Sequence, residues 1–174
     1  MTGVFYFPGG GGGVKKNIGK MLTGLMKKQI FQCTYGSCPA VPHTFSHFLH
    51  FTVVVLGSPM CGKTSFIQRY VKGTFPQPRR EETMGGHLTK HEKIVNGERV
   101  NFEIWELSGR DRFRPMVSMY LRSATAIILC YNPWDRFSMD HNKNLAKCIT
   151  EYAQENAIIS VIGMKADYDL EGQY

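Results

Sequence analysis

The first 80 residues of this 174-residue chain contain no acidic side chain. They hold ten Lys and Arg, whereas residues 81–174 hold eleven basic and fourteen acidic residues. The net charge of +7 is therefore concentrated in the front half. Such an asymmetry indicates a front half that faces something anionic, whether a nucleic acid, a membrane surface or an acidic protein.

Other absences narrow the class of protein further. No run approaches the roughly 18 apolar residues of a membrane-spanning helix, and the pattern of a secretory signal peptide is missing. The last residues offer no cysteine for a prenyl anchor. Five cysteines, an odd number, favour a reduced intracellular compartment, and the lack of Arg in residues 1–50 counts against mitochondrial import. We therefore expect a cytoplasmic protein.

Residues 1–50 form a basic N-terminal extension. A short apolar head, residues 4–7, precedes five glycines at residues 9–13, which predict a flexible joint. In residues 15–31, apolar side chains recur every three or four positions among five lysines, so this stretch predicts an amphipathic helix that packs on the domain or binds an anionic membrane or partner reversibly. Five side chains of the types that bind zinc follow, although their spacing does not fit a Cys2His2 finger and an ordinary loop is the alternative: Cys33, Cys38, His43, His47 and His50.

Residues 51–174 have the pattern of an α/β domain. Residues 51–56, 124–131 and 158–163 are short apolar runs typical of buried strands, and residues 138–154 have helical character. Residues 92–95 and 100–105 predict two further strands joined by a hairpin at Asn96 and Gly97. The alternation predicts a mainly parallel sheet with helices on both faces and one antiparallel hairpin at its edge.

Directly after the first buried strand, residues 57–64 match the phosphate-loop pattern GxxxxGK[ST]. In this pattern successive backbone N–H groups surround a polyphosphate, and the helix that follows directs its positive end at the anion. Lys63 neutralises phosphate charge, and the Thr64 hydroxyl is available to magnesium. Pro59 removes one N–H donor and Met60 adds bulk, which predicts a less open loop. The motif, between strand and helix, predicts a P-loop NTPase fold.

Later motifs extend the pattern in a fixed order. They are Arg69 to Phe75, Thr83-Met84-Gly85, Phe102 to Arg110, Ser118 to Arg122, and Met164-Lys165-Ala166-Asp167. With the phosphate loop, they resemble the Ras superfamily of small GTPases, in particular the Rab branch, over about residues 51–169. The loop before Thr83 is one residue longer than in most relatives, which resembles the divergent autophagy-associated Rab group.

The resemblance implies GTP or GDP as ligand, magnesium as cofactor and a set of site residues. Phe75 resembles the aromatic residue that packs on guanine, and Thr83 the threonine that reaches magnesium and the terminal phosphate only in the triphosphate state. Gly109 resembles the glycine that senses this phosphate. The implied metal ligands are Thr64, Thr83 and Glu106. The implied nucleotide-binding residues are Gly57, Ser58, Pro59, Met60, Cys61, Gly62, Lys63, Thr64, Ser65, Phe75, Thr83, Gly109, Lys165 and Asp167.

Three positions depart from the family pattern. Glu106 replaces an Asp, and its extra methylene is expected to displace the water that bridges to magnesium. Arg110 replaces the catalytic glutamine next to Gly109, and since Arg cannot accept a hydrogen bond from the attacking water, hydrolysis is expected to be slow or absent. Met164 replaces an Asn and is expected neither to bond guanine nor to tie the base loop to the phosphate loop. Each loss costs about 1–3 kcal/mol, or about 5- to 150-fold in affinity.

The sequence ends shortly after Asp167, so we expect the last strand, the final helix and the Ser-Ala-Lys guanine loop of the family to be missing. The missing helix would leave an apolar face of the sheet open. One hypothesis is that the helix of residues 15–31 covers this face. The alternative is an incomplete or alternatively spliced reading frame.

Two functions remain open. The first is a Rab-like nucleotide switch in vesicle traffic, peripheral on endomembranes, that meets effectors or regulators through its switch regions and membranes through residues 15–31. The second is a pseudo-GTPase that serves as a structural or adaptor subunit on an acidic partner. Nucleic-acid binding is not expected, because the chain has no recognisable reader motif.

Overall fold

The computed structural model describes residues 3–6, 49–75, 82–95 and 97–165. Six strands form one sheet: β1 Gly3–Tyr6, β2 Leu49–Gly57, β3 Gly86–Val95, β4 Glu98–Leu107, β5 Ala126–Tyr131 and β6 Ile158–Gly163. Within these described ranges, three helices accompany the sheet: α1 Lys63–Lys72, α2 Arg114–Leu121 and α3 Arg136–Tyr152. A 3-10 turn, Asp111–Phe113, leads into α2.

The sheet is mainly parallel, as predicted. The strand order is β1-β6-β5-β2-β4-β3, with β2 parallel to both β4 and β5, and β5 parallel to β6. Strands β3 and β4 form the predicted antiparallel hairpin at the sheet edge. Gly97 in its turn has a left-handed φ of 87°, which glycine adopts without strain, and Asn96 lies outside the described residues.

Strand β1 was not predicted from the sequence patterns. It pairs in parallel with β6, with Gly3 opposite Ser160 and Tyr6 opposite Gly163. A four-residue apolar run is too short for a period to identify it, and its pairing partner lies more than 150 residues away in the chain. The N-terminal strand thus adds a sixth member to the sheet at the edge beyond β6.

Apolar side chains of β2 alternate between two cores because successive side chains of a strand point to opposite faces. Val53 and Val55 belong to the core that includes Phe66 and Ile67 of α1. The opposite face forms a second core, built from β2 and β5 together with α2 and α3, whose members include Val54, Leu56, Leu121, Leu145 and Ile149. Helices therefore cover both faces, as the α/β pattern predicted.

Some boundaries differ from the prediction. Strand β3 begins at Gly86 rather than at residue 92. The sequence did not indicate its first half because those residues are largely polar and at least partly exposed, without an apolar alternation. Helix α3 begins at Arg136 rather than at residue 138, since the Asp135 carboxylate caps it by accepting a hydrogen bond from the Phe137 N–H at 3.0 Å. The prediction of residues 124–131 as a strand is confirmed from Ala126 onward.

Most of the predictions for the extension fall outside the described residues. These are the glycine joint, the helix of residues 15–31 with its proposed covering role, and four of the five zinc-type side chains. His50 is the exception: it lies in β2, where its Nε2 is 3.6 Å from a carboxylate oxygen of Glu103. Among the helices that the structure describes, none has the length and apolarity needed to cross a membrane.

Helix α2 provides a matched test of the core. Leu121 is fully buried, whereas Met119, two residues earlier, is 60% exposed. We expect Leu121→Ala to lower the free energy of unfolding by about 2–5 kcal/mol, because it opens a cavity, and Met119→Ala to change it by less than about 0.5 kcal/mol. Urea denaturation followed by circular dichroism measures both. Similar losses in the two variants would contradict this placement of α2.

Candidate functional site

The phosphate loop connects the end of β2 to the start of α1, and its backbone leaves no room for side chains at its first glycine. Gly57 has a φ of 149°, and a Cβ there would lie 2.2 Å from the carbonyl oxygen of Cys130. Gly62 has a φ of 110° at the position that precedes α1. Exposed Met60 adopts a left-handed φ of 58°, which is uncommon for a residue with a side chain. The loop is thus tightly turned at three of its positions.

Lys63 is almost completely buried at the first position of α1. Its ammonium donates hydrogen bonds to the carbonyl oxygens of Gly57 at 2.9 Å and Ser58 at 2.8 Å. Both acceptors are neutral, so these bonds hold the lysine in place without cancelling its charge. The positive end of the α1 dipole lies at the same position. Lysine and helix together make the loop electropositive, and Ser65 follows as a half-buried residue of α1.

Two cysteines pack beneath the loop and are chemically quiet. Cys61 in the loop and Cys130 near the end of β5 are both buried and form no disulfide; Cys148, which is half-buried, is also a free thiol. Burial raises the pKa of the Cys61 thiol, although the nearby Lys63 charge opposes the shift. Burial raises the pKa of Cys130 well above its ordinary value. Since both thiols stay protonated at neutral pH, they serve as packing groups rather than nucleophiles.

The three predicted metal ligands converge at the carboxyl end of β4. One carboxylate oxygen of Glu106, Oε1, accepts hydrogen bonds from the Thr64 hydroxyl and from the Thr83 hydroxyl, the latter at 3.0 Å. The two hydroxyl oxygens are 3.2 Å apart. Glu106 is only 3% exposed, so its carboxylate is shielded from water, whereas the two threonines are half-buried.

The donor set of this cluster fits magnesium. Mg²⁺ takes hard oxygen ligands in octahedral geometry at about 2.0–2.1 Å, which places adjacent ligands about 2.9 Å apart. The separations of Thr83 from Glu106 and from Thr64 are close to that spacing. The extra methylene of Glu106 brings its oxygen directly to both hydroxyls, and the displacement of a bridging water stays a prediction.

Gly109 packs directly against the phosphate loop. A Cβ at this position would lie 2.3 Å from the nitrogen of Pro59 and 2.4 Å from the carbonyl carbon of Ser58, so only glycine fits. The loop after β4 and the phosphate loop are therefore in backbone contact. The next residue, Arg110, directs its guanidinium to the carboxylate of Glu82: Nε donates a hydrogen bond to Oε2, and Nη2 forms an ion pair with the same oxygen.

The residues predicted for the guanine side are less closely assembled. Phe75 is 40% exposed, and the Arg69 guanidinium lies 4.9 Å from the centre of its ring. Lys165 has a left-handed φ of 57°, and its carbonyl accepts a hydrogen bond from the indole N–H of Trp134 at 3.1 Å. Asp167 lies outside the described residues.

One expectation about Met164 is wrong. From the sequence, Met164 is not expected to tie the base loop to the phosphate loop. In the structure its buried side chain packs beside Gly62, where a Cβ would lie 3.2 Å from the Met164 Cε. The two loops are thus joined by van der Waals packing, which requires only an apolar side chain of suitable length.

Sequence reasoning missed the polar residues of α3 that support the site. The Ser58 hydroxyl donates to the Ser138 hydroxyl at 2.7 Å, and the Ser138 hydroxyl also accepts from the N–H of Asn132 at 2.9 Å. The Asn142 amide donates to the carbonyl of Cys130 at 2.8 Å. No local pattern links these residues, which are separated from the phosphate loop by about 80 positions. A polar residue at the buried stripe of a predicted helix was the only available signal.

Comparisons with known proteins agree with this arrangement. A model of the Ras family matches residues 52–173. The chain is 36% identical over 123 residues to the Ras-related protein Rab-26 of Drosophila melanogaster, which is 71% of this chain and 32% of that protein. It is 35% identical over 115 residues to the Ras-like GTP-binding protein RYL2 of Yarrowia lipolytica, which is 66% of this chain and 54% of that protein.

The chain spans about a third and about half of the lengths of these two relatives. The family match nevertheless covers the described core from β2 to β6, including the phosphate loop and the oxygen cluster around Glu106. Fold, site geometry and sequence similarity thus agree: the chain belongs to the Ras family and is a Rab-like small GTPase.

Proposed function

We propose that this chain binds GTP or GDP together with magnesium, hydrolyses GTP slowly or not at all, and acts as a Rab-like switch in vesicle traffic. The observation that carries the proposal is the phosphate loop, in which the buried Lys63 stands at the start of α1 and, among the residues that the structure describes, forms no hydrogen bond to an acidic side chain. A buried positive charge beside a helix N-terminus favours a polyphosphate ligand.

Magnesium would be held by the oxygen cluster of Thr64, Thr83 and Glu106. When bound, the ion neutralises negative charge on the phosphate oxygens. The carboxylate of Glu106 is the only charged member of the cluster. Its burial at the end of β4 keeps it oriented toward both hydroxyls, so this chain supplies a carboxylate where magnesium needs one.

Slow hydrolysis follows from Arg110. A guanidinium has five N–H donors and no acceptor, so it cannot take a hydrogen bond from the attacking water in the way that glutamine does. Its pairing with Glu82 also turns it toward the neighbouring loop. Gly109 retains its contact with the phosphate loop, so the defect we propose concerns water positioning rather than phosphate contact.

Guanine recognition is expected to be weak. Met164 offers no hydrogen bond to the base, and its side chain is already packed beside Gly62. Lys165 and Phe75 remain available, together with Asp167 by resemblance. Losing one hydrogen bond to the base lowers affinity by about 5- to 150-fold.

The traffic role, the endomembrane location and the effectors or regulators that bind the switch regions are proposed from the Rab likeness. Reversible membrane attachment through residues 15–31 belongs to the same proposal, since one amphipathic segment binds a membrane only weakly.

A pseudo-GTPase adaptor on an acidic partner is the second candidate. Two observations favour it: Met164 fills the space beside Gly62, and Thr83 is held by Glu106 through a direct hydrogen bond. Both contacts are complete within the protein and need no ligand.

Equilibrium binding of a fluorescent GDP tests the phosphate loop. We expect Lys63→Ala to weaken binding by about 10- to 100-fold, because it removes charge-assisted hydrogen bonds to phosphate. Lys147→Ala, an exposed lysine of α3, is the matched control and should leave the affinity unchanged. If the wild-type chain is folded by circular dichroism and binds no GDP at about 10 µM protein, the adaptor function replaces the switch.

A magnesium titration tests the oxygen cluster. We expect Glu106→Gln, which keeps the shape but removes the charge, to raise the magnesium concentration needed to retain GDP by about 10- to 100-fold. Glu106→Asp keeps the carboxylate and should retain magnesium dependence. GDP release measured in stopped flow gives both values, and equal responses of Gln and wild-type proteins would exclude Glu106 as a metal partner.

The departures at two other positions are tested by reversion. We expect the double variant Arg110→Gln, Met164→Asn to bind GDP about 5- to 150-fold more tightly, because the Asn side chain restores a hydrogen bond to guanine. The Gln side chain should produce measurable GTP turnover. Single-turnover phosphate release and fluorescent GDP titration give the two readouts. Background turnover and unchanged affinity in the double variant would assign the weakness to other parts of the site.

A further inference from the structure

Each of residues 82–85, just before β3, contacts either the carboxyl end of β4 or the segment that follows β4. The four contacts join Glu82 to Arg110, Thr83 to Glu106, Met84 to Arg112 and Gly85 to Ser108. We propose that this set, called here the loop ladder, holds residues 82–85 closed in the absence of nucleotide.

The sheet itself begins the loop ladder. Strands β3 and β4 are antiparallel, and their last pair at this end is Gly86 opposite Leu107. One step further, the N–H of Ser108 donates to the carbonyl of Gly85 at 2.7 Å, which continues the same register. Ser108 is 8% exposed, so this bond is shielded from water. The hairpin therefore presents the two loops to each other whether or not a ligand is present.

Side chains extend the ladder outward from that bond. The Thr83 hydroxyl donates to the buried Glu106 at 3.0 Å. The Arg112 guanidinium lies 3.2 Å from the sulfur of Met84. Every partner is an atom of this chain, so none of these contacts requires a bound phosphate.

Arg110 and Glu82 close the far end of the ladder. Two guanidinium nitrogens, Nε and Nη2, reach one oxygen of the Glu82 carboxylate. The pair is partly exposed, with 47% and 30% of the side-chain surfaces accessible, so salt screens it. The residue that replaces a catalytic glutamine thus works as a tether between the two loops.

This inference limits the proposed switch: nucleotide can still bind through Lys63, but residues 82–85 change little in response to it. In the family that the sequence resembles, the residue equivalent to Thr83 takes up its closed position through magnesium and the terminal phosphate. Here the carboxylates of Glu82 and Glu106 hold the same segment. The closed arrangement of residues 82–85 therefore does not depend on whether nucleotide binds.

The amide of Ser108 reports on the ladder because its N–H is released only when the loops separate. Its hydrogen exchange, followed by NMR in the full, nucleotide-free chain, tests the ladder. We expect Arg110→Gln and Glu82→Gln each to speed exchange by about two- to fivefold, and the double variant to add little, as for partners in one contact. Arg136→Gln, an exposed arginine at the start of α3, is the control and should leave the rate unchanged.

Two further experiments measure Ser108 exchange while the salt concentration or the nucleotide is varied. Raising sodium chloride from about 0.05 to about 1 M should speed Ser108 exchange in the wild type and much less in Arg110→Gln. GTP should change the wild-type rate by less than about twofold. Unchanged exchange in both single variants, or slowing of about tenfold or more by GTP, would overturn the ladder. If the chain binds no nucleotide, the variants and the salt series still test the ladder, because neither measurement needs GTP. Failure of GTP binding is therefore distinguished from failure of the ladder.

Discussion

The phosphate loop, the segment after β4 and the end of β5 meet at the carboxyl edge of the parallel sheet, in backbone contacts that leave no room for a side chain at Gly57 or Gly109, and the rest of the site depends on these contacts. Gly57 abuts the carbonyl of Cys130, and Gly109 abuts Pro59. Because β2, β4 and β5 run in parallel, their ends must lie together, and only glycine permits the approach that follows. These contacts fix the positions of Lys63 and Glu106. Lys63 follows β2 through the phosphate loop, and Glu106 lies at the end of β4.

The departures from the family pattern share one physical property. Met164 contacts Gly62, Glu106 contacts Thr83 and Arg110 contacts Glu82. In each case a longer side chain reaches a protein group directly. The free energy that stabilises the closed site then comes from the folded chain. A site of this kind is ordered before a ligand arrives, which lowers the entropy cost of binding but also lowers the structural response to it.

The sequence predicted the sheet and the phosphate loop because both depend on local patterns. The apolar run of residues 51–56 and the GxxxxGK[ST] motif place β2, the loop and α1 within a few residues of their positions. Strand β1 and the Ser58–Ser138 bond could not be found in this way, since each joins residues that are far apart in the chain. Arg110 was identified as a departure, but its partner Glu82 lies in another loop, and only the hairpin register brings the two together.

Binding and switching are separate properties, and the loop ladder separates them here. A ligand shifts a conformational equilibrium only by the difference between its affinities for the two states. When Glu82, Thr83 and Gly85 are already held by the end of β4 and the loop after it, the open state of residues 82–85 is little populated, so GTP has little left to stabilise. The chain can then bind nucleotide through Lys63 and still present one constant surface to a partner. Nucleotide binding and an adaptor role are therefore compatible in one molecule, because the ladder uncouples nucleotide binding from the conformation of residues 82–85.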